Sequence, residues 1–218
     1  MRLEYGTDEY RAISNVLKDD SRISIELYND SEARETVLKD LATPPFLIHM
    51  ITHGFYCSDF AKSTHPGNIN PLLKSGLAMA GANTTLGNNR MGSNGDSFDD
   101  GILTAFEVTS LNLEGTDLVT LSACESGVGQ TLDGEGVFGL RCAFQNAGAR
   151  SLLMSLWKIP DKETSQLMEY FYSFWVNGDS KADALRHAEL KMIDDLKDRY
   201  GYALPYLWGG FVLTGTPE

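Results

Sequence analysis

Four runs of mostly apolar residues alternate with stretches of helical periodicity along most of the chain. The apolar runs, which are typical of strands covered by helices on both faces, are residues 46–51, 117–123, 149–157 and 207–214. Helical patterns occupy residues 136–147, 162–176 and 180–200. Because strands that alternate with helices of this length require crossover connections, we predict an α/β fold with three layers and a mostly parallel central sheet.

The first hundred residues carry weaker signals. Residues 24–27 alternate polar and apolar side chains and predict a short strand, and residues 31–41 predict a helix with Ser31 as its cap. Apolar periodicity is lost over residues 57–101, and Gly, Asn, Ser and Asp dominate residues 87–101. We expect a mobile loop there, which is either a flap over a substrate groove or a solvated insertion without a role.

Size and charge narrow the class of protein. With 218 residues, of which 42% are apolar, we expect one domain over residues 1–218. The net charge of −12 argues against nucleic acid as a partner, since a phosphate backbone is bound by clustered Lys and Arg. No apolar run has the roughly 20 residues that span a bilayer, and no signal peptide is visible, so we expect a cytoplasmic protein that binds no membrane.

The cysteines indicate reduced thiols. Cys57, Cys124 and Cys142 are too few and too scattered for a disulfide framework, and no CxxC pair indicates a zinc site. We therefore expect no metal.

Two reactive side chains stand at the ends of predicted strands, His53 after one run and Cys124 after another. In an open parallel sheet the functional crevice lies outside the carboxyl ends of the strands, so the two groups meet if their strands are neighbours. An imidazole that accepts the thiol proton activates the sulfur and then protonates a leaving amine. The backbone N–H groups of Gly54 and Cys124 are candidates for an oxyanion hole. The alternative is a structural cysteine at the end of a buried strand.

Several segments of the sequence resemble the motifs of a known domain family. The segments ITHGF with His53, DLVTLSACESGVGQ with Cys124, GEGVFGLRCAFQNAGARSLLMSLWKIPD and YLWGGFVLTGTPE together resemble a CHAT domain. LYNDSEARETVLKDL and PLLKSGLAMAGAN are similar to further parts of that family, so the resemblance covers nearly the whole chain. It implies a caspase-like three-layer α/β/α sandwich, in the same clan as caspases and separases.

The resemblance also implies a catalytic role for both residues. His53 and Cys124 match the family's dyad, which hydrolyses peptide bonds without a cofactor. The spacing and the residues before the cysteine differ from those of true caspases, so cleavage after Asp is not implied.

Asp161 is the candidate for substrate specificity. It lies in SLWKIPD, which resembles the separase segment whose acidic residue receives a basic P1 side chain. A carboxylate beside the dyad would favour Arg or Lys through a charge-assisted hydrogen bond. The alternative is that Asp161 caps the helix that follows it.

Three functions follow from these observations. The first is an endopeptidase that cleaves a protein substrate, and the resemblance implies a bacterial defence or signalling protease. CHAT domains commonly end longer chains, so an upstream sensor or helical-repeat domain is expected in the same or another chain. The second function is a catalytically silent interaction module, and the third is a small-molecule hydrolase that uses the same Cys/His pair.

Overall fold

The computed structural model of the protein describes residues 6–18, 23–56, 70–83, 99–125 and 135–218. The chain divides into two compact units, Tyr28–Leu152 on the one hand and Met1–Leu27 with Leu153–Glu218 on the other.

The strands form a mixed sheet that defines the fold class. They are β1 (Leu47–Tyr56), β2 (Ser75–Ala78), β3 (Ile102–Thr104), β4 (Leu118–Glu125), β5 (Ser151–Ser155) and β6 (Phe211–Gly215). Their order is β3-β2-β1-β4-β5-β6, and helices lie on both sides. Strands β1 and β4 are parallel, whereas β1 with β2 and β2 with β3 are antiparallel. The predicted α/β class is confirmed, and its sheet carries an antiparallel edge.

The unit Tyr28–Leu152 is built on β1 and β4. Every described side chain of β4 up to Ser122 is buried, which agrees with the apolar run that predicted the strand. The helices of this unit are α2 (Glu35–Lys39), α3 (Ala105–Val108) and α4 (Glu135–Asn146). Helix α4 packs on β2 so closely that a Cβ on Gly139 would lie 2.7 Å from Ser75 Oγ.

A buried carboxylate stabilises the start of β3. Glu35 Oε1 accepts hydrogen bonds from the backbone N–H groups of Gly101 (2.6 Å) and Ile102 (3.0 Å). Lys39 Nζ lies 2.5 Å from Glu35 Oε2 and 2.9 Å from Glu107 Oε1. This charge network joins α2 to α3 and to the first residue of β3, and it satisfies backbone donors that would otherwise be buried without a partner.

The unit formed by Met1–Leu27 and Leu153–Glu218 is mainly helical. It contains α1 (Gly6–Leu17), α5 (Asp161–Val176) and α6 (Lys181–Tyr200), and α5 packs against both of the others. Ser180 accepts a hydrogen bond from Asp183 N at the start of α6, and Gly201 ends that helix with a left-handed φ of 80°. No helix within the described ranges is both apolar and long enough to span a bilayer.

Two predicted elements near the start of the chain differ from the structure. The strand at residues 24–27 is wrong: this stretch has no regular structure, and Ile25 and Leu27 are 40% and 44% exposed. The helix at residues 31–41 is reduced to a 3₁₀ turn, Asp30–Glu32, and the short α2. Arg34, rather than the predicted Ser31, is the N-cap of α2.

The region 57–101 is partly regular, because it contains β2 and the 3₁₀ turn Pro71–Leu73. Residues 87–98 of the predicted loop lie outside the described residues, so its mobility stays a prediction.

Candidate active site

Strands β1 and β4 place the two predicted catalytic positions next to each other. The strands are parallel neighbours, and their register pairs His53 directly with Cys124. Neighbouring strands are about 4.8 Å apart, and residues directly opposite each other share one face of the sheet. The expectation that distant parts of the chain bring these residues together is therefore confirmed at the level of the backbone. The thiol itself lies outside the described side chains, so its distance to the imidazole stays a prediction.

His53 does not end its strand, contrary to the prediction. Within the described residues the last parallel pair is Gly54 with Glu125, one pair after His53 and Cys124, and β1 continues to Tyr56. It continues because β2 pairs with it from His53 to Tyr56 in the antiparallel direction. The candidate site therefore lies where β1 pairs with parallel β4 on one side and with antiparallel β2 on the other. Cys124 is one residue from the end of β4, close to its predicted place.

The imidazole of His53 carries an unpartnered nitrogen. The side chain is half-buried, and its Nε2 atom is buried with no hydrogen-bond partner in the described part of the chain. Buried polar atoms are paired in the large majority of cases, so an unpaired one requires an explanation. A nitrogen that exchanges a proton with a reactive group is one such explanation.

Strand β2 supports His53 from the other side. Its last residue, Ala78, is opposite His53, and the Thr52 hydroxyl donates a hydrogen bond to the Ala78 carbonyl oxygen. Since successive residues of a strand face opposite sides, Thr52 and His53 occupy different faces of β1. This side-chain bond therefore ties the end of β2 to β1 beside the candidate histidine.

Phe55 covers a gap in β2 on the face that carries His53. It is opposite Gly76, and its Cζ atom lies 2.8 Å from the position that a Cβ on Gly76 would occupy. Any side chain larger than hydrogen at Gly76 would displace the ring. Phe55, Thr52 and Ala78 were not singled out from the sequence. Phe55 and Thr52 lie in the ITHGF segment. Their roles follow from the register of β1 with β2 and not from the composition of that segment.

Gly54 is buried inside β1. Its register partners are Leu77 on β2 and Glu125 on β4, and it takes part in hydrogen bonding or a comparable contact. The predicted oxyanion hole from Gly54 and Cys124 stays a prediction.

Asp161 is the first residue of α5, and it belongs to the unit that contains Leu153–Glu218. The N-cap of α5 is Pro160, so the alternative in which Asp161 caps this helix is wrong. A carboxylate in the first turn still interacts favourably with the helix dipole. Its predicted role in binding a basic P1 residue stays a prediction. Among the described residues, no group of three or more His, Cys, Asp and Glu side chains is arranged to hold a metal ion.

Comparisons with known proteins agree with the motifs. The CHAT domain profile matches residues 1–216. Tetratricopeptide repeat protein 28 of Homo sapiens is 36% identical over 115 residues, which are 53% of this chain and 4% of that protein. The protein of the same name from Mus musculus is 32% identical over 115 residues, with the same coverage. The chain thus matches only a small part of the length of these relatives.

Proposed function

Because the chain belongs to the CHAT domain family, a caspase-like peptidase family, we propose that it is a cysteine endopeptidase with a His53/Cys124 dyad. The observation that supports this proposal most directly is the parallel register that pairs His53 with Cys124. The buried, unpartnered Nε2 of His53 supports it further.

The proposed reaction has two halves. His53 takes the proton of Cys124, and the thiolate attacks the peptide carbonyl carbon to form a tetrahedral intermediate. The intermediate collapses, the C–N bond breaks, and His53 gives its proton to the departing amine. Water then attacks the thioester carbonyl carbon while His53 accepts a proton from it. The C–S bond breaks, the carboxylic acid product is released, and the Cys124 thiolate takes the proton back from His53, which restores the dyad. N–H groups of Gly54 and Cys124 would stabilise the oxyanion.

Substrate preference is part of the proposal. A carboxylate at Asp161 would receive an Arg or Lys side chain at P1 by a charge-assisted hydrogen bond. The acidic net charge of −12 is compatible with a basic substrate.

The proposed setting is a cytoplasmic, regulated protease in bacterial defence or signalling. Its activity would be controlled by an upstream sensor or helical-repeat segment, in the same or another chain. The names of the human and mouse relatives state that they contain tetratricopeptide repeats, which is compatible with such an arrangement.

Thiol reactivity tests the dyad before any substrate is known. Cys124 should be alkylated by iodoacetamide at pH 7 at least about tenfold faster in the parent protein than in His53→Ala, because the imidazole keeps the sulfur ionised. Labelled peptides are quantified by mass spectrometry, residue by residue. His187→Ala is the matched control, since His187 is an exposed histidine paired with Asp179 and should leave the rate unchanged.

Cleavage tests turnover. Candidate protein substrates are incubated with the parent chain, and Cys124→Ala should lower cleavage by at least about a hundredfold. Cys142→Ala is its control, since Cys142 is a half-exposed free cysteine on α4. Alkylation of Cys124 that is indifferent to His53→Ala would contradict the proposal and favour the catalytically silent interaction module.

A further inference from the structure

The smallest side chains of β2 lie beside the candidate dyad. Gly76 and Ala78 occupy the face of the sheet that carries His53, because they are the register partners of Phe55 and His53. On the next strand, Thr104 and Ile102 occupy the corresponding positions. None of these four positions carries a charged residue, and the polar one, Thr104, has its hydroxyl engaged with Glu107.

The ring of Phe55 is fixed over Gly76. A Cβ at Gly76 would lie 2.8 Å from Phe55 Cζ, 2.7 Å from the Leu103 carbonyl oxygen and 3.0 Å from Thr104 Cα. The ring therefore reaches from β1 across β2 towards β3, away from β4.

The surface beside the ring remains accessible. His53, Phe55 and Ala78 are each half-buried, whereas Leu103 and Ile102 on β3 are buried. Ala78 contributes a single methyl group directly opposite His53. These half-buried residues put a methyl group, Ala78, and an aromatic ring, Phe55, beside His53 on one face of the sheet.

We propose that Phe55 and Ala78 form a subsite that binds an apolar substrate side chain of about the size of Leu or Met, next to the scissile bond. The inference rests on the proposed peptidase function. An apolar side chain fits because Ala78 offers a methyl group and Phe55 an aromatic ring, and neither of these two side chains carries a hydrogen-bonding group for a carboxylate or hydroxyl. The merely structural alternative is that Phe55 only shields the backbone at Gly76.

Two probes separate these possibilities. The first is iodoacetamide, which has no side chain to bind. The second is a pair of capped peptidyl chloromethyl ketones that differ only at the residue before P1, which is Leu or Ser, in sets with Lys or Leu at P1. The measured quantity is the rate constant for alkylation of Cys124, and the preference is the ratio of the Leu probe to the Ser probe.

The parent chain should prefer the Leu probe by about tenfold or more, as expected for an apolar pocket that distinguishes aliphatic from polar groups. Phe55→Ala and Ala78→Leu should each reduce this preference to within about threefold, the first by removing the aromatic ring and the second by placing a larger side chain beside it. Phe55→Leu should retain an intermediate preference. Phe106→Ala is the matched control, because Phe106 is an exposed phenylalanine on α3, and it should keep the parent preference.

The outcomes are distinguishable from failure of the proposed function. If iodoacetamide labelling of Cys124 does not depend on His53, the proposed dyad is wrong, and the proposed subsite is wrong as well because it rests on the dyad. If labelling depends on His53 but the parent shows no Leu preference, the subsite alone is wrong. An unchanged preference in both Phe55→Ala and Ala78→Leu would also overturn it. Should Phe55→Ala fail to fold because Gly76 loses its cover, Ala78→Leu decides alone, since it leaves that cover in place.

Discussion

The carboxylate of Glu107 shows how one residue combines a local and a long-range role. It accepts hydrogen bonds from the backbone N–H (2.9 Å) and the hydroxyl (2.8 Å) of Thr104, which closes a capping box at the start of α3. It also pairs with Lys39 on α2. Although partial burial raises the pKa of Glu107, the hydrogen bonds from Lys39 and Thr104 outweigh it and lower the pKa below that of an ordinary glutamate.

This shift gives a pH-dependent prediction for Glu107→Gln. A carboxyl whose pKa is lowered in the folded state stabilises the fold above the pKa of the unfolded chain, and this contribution is lost as pH falls through the folded value. The variant should therefore lose about 1 kcal/mol of unfolding free energy at pH 7, a figure reduced for partial exposure. The loss should shrink as pH falls below about 4.5, the ordinary value for glutamate.

Urea unfolding at several pH values measures this difference. Glu114→Gln is the control, because Glu114 is exposed in the same unit. A loss that is equal at pH 7 and pH 4 would show that the charge of Glu107 contributes nothing.

Some residues of the candidate site could be predicted from the sequence and others could not. His53 and Cys124 could be predicted because their chemistry is rare and their strands are apolar, and the register then paired them. Thr52 and Phe55 could not, since a threonine and a phenylalanine in an apolar strand have no unusual chemistry. Their roles depend on Ala78 and Gly76, which reach them only through the pairing of β1 with β2.

Among the elements, β1 is unusual because it pairs with parallel β4 along its first eight residues and with antiparallel β2 from His53 onwards. Strand β2 ends at Ala78, so its ladder with β1 has no further pair to hold it there. The bond from the Thr52 hydroxyl to the Ala78 carbonyl oxygen takes that place. We therefore regard Thr52 as a positioning residue for His53.

Thr52→Val and Thr52→Ser test this role. Valine keeps the branched shape and removes the hydroxyl, so it should lower the His53-dependent alkylation rate of Cys124 several-fold and shift its pH profile. It should also cost about 1 kcal/mol of stability for the lost hydrogen bond. Serine should restore most of both. If valine lowers the unfolding free energy but leaves the pH profile of alkylation unchanged, the bond is structural only.

The sequence predicted some helices and strands better than others, and the reason is physical. The helices α4, α5 and α6 and the strands β1 and β4 are long enough for an apolar period to stand out, and the predicted bounds of these helices are within one residue of those observed. Strands β2 and β3 have four and three residues and no period, so only pairing reveals them. Residues 24–27 show the converse, since alternation without a partner strand does not make a strand.

At the scale of the whole chain, the residues that flank the segment 84–98 lie against each other. A Cβ on Gly101 would lie 2.1 Å from Ala82 N, and Gly101 has a φ of +81° that few other residues adopt. The Met79 N–H donates to the Gly101 carbonyl oxygen (2.8 Å), and Glu35 holds the N–H of Gly101. The contacts that hold the two sides of the segment together are therefore made by residues outside it.

Replacing residues 84–98 by about four Gly and Ser residues should consequently keep the fold. Shortening a segment whose flanking residues already touch changes the entropy of closure little, so the unfolding free energy should change by less than about 1 kcal/mol. Urea unfolding and circular dichroism measure the outcome. In contrast, Gly101→Ala should destabilise by about 1–3 kcal/mol through the strained φ and the clash with Ala82. Loss of cooperative unfolding in the shortened chain would show that the contacts between the flanking residues do not hold without the segment 84–98.

The common register of β1 and β4 has an evolutionary consequence. Leu47 is paired with Leu118, and the same number of residues leads from each of them to His53 and to Cys124. A single-residue insertion or deletion in one strand alone would set Thr52 or Gly54 against the cysteine and turn the histidine to the opposite face. Relatives that keep the chemistry must therefore conserve the spacing within these strands, while they remain free to vary the length of the chain between them.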